Sequence, residues 1–210
     1  MEISLKIKKI MKNKDWKGNS NSIYKTLGAS NHTEEVRETN DWYATDPIAA
    51  EWLIKLEKLN ENIWEPSCGS GELSKVFEAA GHKVISSDLV DRGFGKTGID
   101  FLTCTKKFDG DIITNPPYSL AQEFIEKSLE IVNDGNKVIM FLKVQFLEGK
   151  ARKKLFEKYP PKMIWVSSSR ILCAKNADFE KFRKQGSAVA YAWYVWEKGF
   201  TGTTELKWFN

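Results

Sequence analysis

The sequence predicts an α/β sandwich on a mostly parallel sheet, and three observations predict it. Short apolar runs that read as strands alternate with segments of helical period. Glycines and prolines punctuate the junctions, and 210 residues suffice for one layered domain with little left for a second. Residues 1–40 are rich in Lys, Asn and Ser without sustained periodicity; they read as a flexible or partly ordered basic lead-in, with the folded domain over 41–210. Asp46-Pro47 opens a helix, Asp46 as N-cap and Pro47 in the first turn, with Ala50, Leu53, Ile54 and Leu56 as its apolar face to about Leu59. A strand around Ile63 and Trp64 enters a glycine loop. Leu73 to Ala80 is helical, Gly81 ends it, and Lys83 to Ser87 is a strand stopping at Asp88. Another edge lies near Ile99 to Leu102, and Gly110 to Thr114 is a buried-type strand stopping at Asn115. Ser119 to Val132 turns Phe124, Ile125, Leu129 and Val132 inward. Lys137 to Val144 is a strand, Ala151 to Tyr159 a basic helix, and strands follow at Met163 to Ser167, Ala188 to Trp196 and Glu205 to Phe209. The Trp193, Tyr194 and Trp196 stripe reads as core on a strand.

Composition narrows the function classes. With 41% hydrophobic and 29% charged residues the chain is globular, and its longest apolar run is too short to span a bilayer, so a soluble, cytoplasmic protein without membrane partners is expected. Cys68, Cys104 and Cys173 are odd in number and lack paired spacing, so neither a disulfide framework nor a metal site is expected. The net charge of +4 excludes a strongly basic nucleic-acid arm. Its distribution is uneven, however: residues 143–184 carry twelve Lys and Arg against four acids, a local +8. For any one lysine a solvated helix face is the plainer reading, whereas a segregated patch suits a polyanionic partner.

Two motifs carry chemistry. Glu65-Pro66-Ser67-Cys68-Gly69-Ser70-Gly71 lies between a predicted strand and a predicted helix, where glycines let the backbone approach a ligand and the helix start presents free N–H groups. Asp88 ends the next strand, where a carboxylate can accept ribose hydroxyls. The loop lacks the Lys and Ser/Thr of a phosphate-gripping loop, which disfavours an NTPase. The second motif, Asn115-Pro116-Pro117-Tyr118, follows a strand; four fixed positions arise by chance roughly once in a thousand chains of this length, so it is the more specific signal. Two prolines make the segment rigid and leave its carbonyls free to accept. A rigid acceptor suits an exocyclic amino group, whose lone pair is delocalised into its ring. Bonds from that NH2 to the Asn115 oxygen and the Pro116 carbonyl would draw nitrogen toward tetrahedral geometry, and Tyr118 offers a flat face for a base taken out of its helix.

On these residues the chain resembles the S-adenosylmethionine-dependent methyltransferases, which implies a Rossmann-like sandwich of seven strands with an antiparallel strand near the C-terminus. The resemblance implies that Glu65, Pro66, Cys68, Gly69 and Gly71 hold the amino-acid part of the cofactor. It further implies that Asp88 and Leu89 bind its ribose and that Asp100 with Phe101 holds its adenine. Methyltransferases with Asn-Pro-Pro-Tyr modify amino or amide nitrogens, including adenine N6 in DNA or RNA and glutamine in proteins. Asn40-Asp41-Trp42-Tyr43-Ala44-Thr45-Asp46-Pro47 resembles the element that precedes the glycine loop in adenine-N6 DNA methyltransferases, and the stretch from Lys25 to His32 onward resembles their small phage and prophage type. Tyr43, Thr45 and Pro47, with Asn115, thereby become cofactor contacts; for His32, capping a turn is favoured over touching substrate. Larger relatives carry a separate target-recognition domain. Recognition here would instead come from the lead-in, the loop near Leu147 to Lys154 and the stretch from Arg170 to Gln185, with Tyr118, Lys143, Lys150, Arg152, Lys153 and Arg170 as candidate substrate contacts. The expected partner is DNA, with RNA possible. RNA adenine or protein glutamine methylation, and a binding module without turnover, stay open.

Overall fold

The computed structural model describes residues 43–174, 179 and 189–210, all inside one compact unit, Arg37–Asn210. The expected lead-in over residues 1–40, including His32, and the basic residues Lys175, Arg183 and Lys184 lie outside the described residues.

The described chain runs β1 (Ala44–Thr45), α1 (Ile48–Leu56), β2 (Asn62–Glu65), α2 (Glu72–Ala79), β3 (Lys83–Ser86), β4 (Asp111–Thr114), α3 (Ala121–Ile131), β5 (Lys137–Lys143), α4 (Lys150–Lys158), β6 (Met163–Ser167), β7 (Cys173–Ala174), β8 (Tyr191–Glu197) and β9 (Glu205–Phe209). Seven strands form one sheet in the order β3-β2-β4-β5-β8-β6-β9. Strand β8 is antiparallel to both of its neighbours, and every other pairing is parallel. Alternation along β5 divides the core between two faces. Val138, Met140 and Leu142 meet Phe124, Ile125 and Leu129 of α3 and Leu155 of α4. Ile139 and Phe141 meet Ala49, Ala50 and Leu53 of α1 and Leu73 and Phe77 of α2. Burial on both faces explains why β4, β5 and β8 read as continuous apolar runs. Trp193, Tyr194 and Trp196 are all interior; Trp193 Nε1 donates to the Ala49 carbonyl at 3.0 Å and Trp196 Nε1 to that of Tyr159 at 2.9 Å.

Three local expectations need correction. The edge expected near Ile99 to Leu102 is instead a 3-10 turn, Phe101–Thr103, because the Asp100 carboxylate accepts from the Leu102 N–H at 3.0 Å and diverts the chain from a ladder. The sheet reaches seven strands through β9. Asp46 sits one residue before the α1 cap position, which Pro47 occupies, and accepts from the Ile48 N–H at 3.2 Å. Helix α1 also stops at Leu56, since Glu57 is already extended. The β1–β7 pair, Ala44 opposite Ala174 and Thr45 opposite Cys173, was not foreseen.

Candidate functional site

Strand β2 has β3 on one side and β4 on the other, so connections leave its carboxyl end in opposite directions and open a crevice there. A cavity of about 440 Å³ occupies it, within the range of small-molecule sites. Of the expected contacts, Tyr43, Thr45, Glu65, Pro66, Cys68, Gly69, Asp88, Leu89, Asp100, Phe101, Asn115 and Pro117 line this cavity.

The glycine loop forms the floor. Cys68 N–H donates to the Ser87 carbonyl at 3.0 Å, and the Asp88 carboxylate accepts from Gly69 N–H and Val90 N–H, both at 2.9 Å. Asp88 therefore ties the loop to β3 as well as facing the cavity. Gly71 has φ +87° and packs directly beneath the Phe94 ring, so a side chain there would be strained and would collide with it. It supports the floor from behind, outside the cavity lining. Glu65 ends β2 only 2% exposed. The Ser74 hydroxyl donates to it, and Ser74 in turn lies 2.7 Å from the Ser86 hydroxyl. Burial, with lesser repulsion from Glu72 and Asp88, pushes the Glu65 carboxyl up to about 8. Burial also pushes the Cys68 thiol up to about 12. The far end is apolar: Phe101 lies edge-on to Trp64 at 5.2 Å and tilted on Phe124 at 5.0 Å.

Asn115 stands where β4 ends. Its amide nitrogen donates to Thr45 Oγ1 at 2.9 Å and to the Tyr43 carbonyl at 3.2 Å, and lies 3.9 Å from Cys173 Sγ. A carbonyl only accepts, so Tyr43 fixes which end of the amide is NH2. Asn115 Oδ1 is consequently turned the other way; it is buried and has no hydrogen-bond partner among the described residues. The Ser67 hydroxyl sits 2.6 Å from that of Thr114 and donates to the Asn115 carbonyl at 3.2 Å, which ties the two motifs together.

The other expected residues fall elsewhere. Pro116 is buried and does not line the cavity. The Tyr118 ring stacks on Tyr43 (centroids 6.2 Å apart, planes at 21°), its hydroxyl donates to that of Tyr191 at 3.2 Å, and Lys143 Nζ lies 4.6 Å from its centre. Tyr118 thus backs the cavity without lining it. Pro47 lines a separate hollow between α1 and α2. Lys150 and Lys153 are exposed on α4, with Lys153 3.5 Å from Glu157. Arg152 spans Phe146 and donates to the Glu148 carbonyl, and Arg170 is exposed after β6. Sequence reasoning missed Ser67, Val90, Arg92, Ser119 and Leu120 as lining residues and took Phe124 as core alone. The glycines at 93, 95 and 98, all at positive φ, were the available signal for the loop that brings Val90 and Arg92 in.

No protein-family model matches the chain, and no curated protein matches it in sequence. Solved structures do share its fold. A candidate class I S-adenosylmethionine-dependent methyltransferase from Listeria monocytogenes is 15% identical at a TM-score of 0.55, covering 90% of this chain and 71% of its own. A candidate RNA methyltransferase from Pyrococcus horikoshii is 16% identical at 0.58, covering 86% and 98%. The type IIG restriction endonuclease BpuSI is 15% identical at 0.53, covering 77% of this chain but 26% of its own. The chain therefore has the Rossmann-like fold of class I methyltransferases.

Proposed function

We propose that the protein transfers a methyl group from S-adenosylmethionine to the N6 amino group of adenine in DNA. The observation that carries this reading is the Oδ1 of Asn115, a residue that lines the cavity: it is buried and has no partner among the described residues. A buried acceptor without a donor costs about 1–3 kcal/mol, and the site leaves it so where an incoming N–H would satisfy it.

The lining fits the cofactor. Glu65 is an acid that a cationic ligand would ionise, the glycine loop allows close backbone approach, and Phe101 with Leu89 and Leu102 forms an apolar end for a base. When bound, the cofactor supplies an electrophilic methyl carbon on a sulfonium. Asn115 Oδ1 accepts one hydrogen of the substrate amino group and so aims the nitrogen lone pair. The prolines hold that acceptor rigid, so no reorganisation is needed at the moment of transfer. Tyr118, in contact with Tyr43 and Lys143, keeps the Asn115 segment in place. DNA is favoured by the resemblance of Tyr43 to Pro47 to adenine-N6 DNA methyltransferases and by the excess of basic over acidic residues in 143–184. Among the fold neighbours one is named an RNA methyltransferase and another a restriction endonuclease.

The test is transfer of labelled methyl to duplex DNA, single-stranded DNA, RNA and a glutamine peptide, followed by digestion and identification of the product. N6-methyladenine in DNA is expected. Label confined to RNA or peptide would replace the substrate, and cofactor binding without label anywhere would leave a binding module.

A further inference from the structure

Thr45 was expected to touch the cofactor's methionine portion, yet its hydroxyl is committed elsewhere. The residue is 3% exposed. Its Oγ1 accepts from Asn115 Nδ2 at 2.9 Å. Thr45 cannot drift, because β1 and β7 pair in register, Thr45 opposite Cys173, and the Asp46 N–H donates to the Leu172 carbonyl at 2.9 Å. A two-residue strand pair is too small to stabilise a fold by itself. What it does achieve is to place one hydroxyl and one carbonyl, those of Thr45 and Tyr43, against the two hydrogens of a single amide.

We infer that Thr45 is a positioning residue: held by the β1–β7 pair, its hydroxyl fixes the Asn115 amide so that Oδ1 faces the incoming amino group. The inference rests on the function proposed above and assigns Thr45 to orienting the acceptor rather than to holding the cofactor. With the Tyr43 carbonyl and the Cys173 sulfur at 3.9 Å left as the amide's partners, the Asn115 side chain could swing about its terminal torsion, which is intrinsically broad. Misplacing an acceptor by about 1 Å is enough to cost roughly 100-fold in rate.

The experiment compares wild type with Thr45→Val, which keeps the shape and removes the hydroxyl, and Thr45→Ser, which keeps the hydroxyl. Four quantities are read: kcat and KM for DNA methylation, cofactor Kd by calorimetry, melting temperature, and exchange of the Asn115 side-chain amide protons by NMR. For Thr45→Val, kcat is expected to fall by roughly 10- to 100-fold, with cofactor Kd and DNA KM within a few-fold and the amide protons exchanging faster. Thr45→Ser should restore rate and protection. In an Asn115→Ala background Thr45→Val should cost nothing more, since a positioning residue has then lost what it positions. A loss of cofactor affinity matching the loss of rate would overturn the inference and return Thr45 to the cofactor. Wild-type transfer with an unchanged Thr45→Val rate would overturn it alone. Absence of wild-type transfer would overturn the functional reading, and amide exchange unchanged in Thr45→Val would then dispose of the positioning role as well.

Discussion

The two ends of the sheet treat buried polar groups in opposite ways. At the amino ends Asp111, 2% exposed, accepts from the Asn60 N–H at 2.8 Å and the Lys137 N–H at 2.7 Å. Asn60 also donates to Asn136, and Asn136 to Asp109. That end is closed. At the carboxyl ends Glu65, equally buried, bonds Ser74, and Asn115 Oδ1 has no partner among the described residues. Both ends carry acids and amides within the same fold, and on the function proposed above the unpartnered Asn115 oxygen is kept, at some cost in stability, where a ligand would complete it.

Asn115→Ala is the sharpest way to break this comparison. Loss of the acceptor should lower methyl transfer by roughly 1,000-fold, while cofactor affinity, measured by calorimetry, stays within a few-fold. A large loss of affinity would show that Oδ1 is completed by the cofactor, not by the amino group. Gly71→Val comes next. A β-branched residue at φ +87° against Phe94 should abolish cofactor binding while the far end of the sheet stays folded, as amide exchange of β8 would show.

Much of the open end was legible in the sequence because its key residues are local. The glycine loop needs a strand before it and a helix after it, and the Asn115 motif needs only the strand that ends at Thr114; both contexts are visible within ten residues. The β1–β7 pair was not, because Thr45 and Cys173 are brought together by folding across the whole sheet and two residues carry no period. The turn after Asp100 escaped because Ile99, Phe101 and Leu102 around one acid read as strand until the Asp100 side chain takes over the Leu102 N–H. Tyr118 was expected to offer a stacking face; its contacts with Tyr43 and Lys143 join segments about 75 and 25 residues away, a packing relation that composition does not encode.

Glu65 and Asp111 allow the comparison to be sharpened by pH. Glu65 titrates near 8 in the folded chain against an ordinary 4.5. Between those values the folded state holds a proton that the unfolded state has lost, so stability falls as pH rises through the window. A cationic ligand favours the ionised form, so binding should release up to about one proton and tighten by up to about tenfold per pH unit as pH rises from 6 toward 8. Calorimetry in buffers of different ionisation enthalpy would measure the proton directly, and Glu65→Gln should remove both the release and the pH dependence. Asp111→Asn should do the converse. It presents an NH2 to one of two backbone donors, costing about 1–3 kcal/mol of stability in denaturant unfolding and leaving cofactor affinity unchanged. Loss of affinity in a folded Asp111→Asn protein would mean that the two ends are coupled.

The smallest effect concerns surface charge. Lys150 and Lys154 are exposed one turn apart on α4, the helix that follows the carboxyl end of β5, whereas Lys83 begins β3 at the closed end and pairs with Glu61 at 2.6 Å. If DNA approaches the open end, Lys150→Ala and Lys154→Ala should each weaken binding a few-fold, uniformly across sequences. Each should also reduce the slope of log K against log salt by about one. Lys83→Ala should leave both unchanged. Neutralising phosphates is a matter of position as well as charge, so equal effects at the two ends would mean that the +8 of residues 143–184 acts only as a diffuse field. Recognition would then have to be sought away from α4.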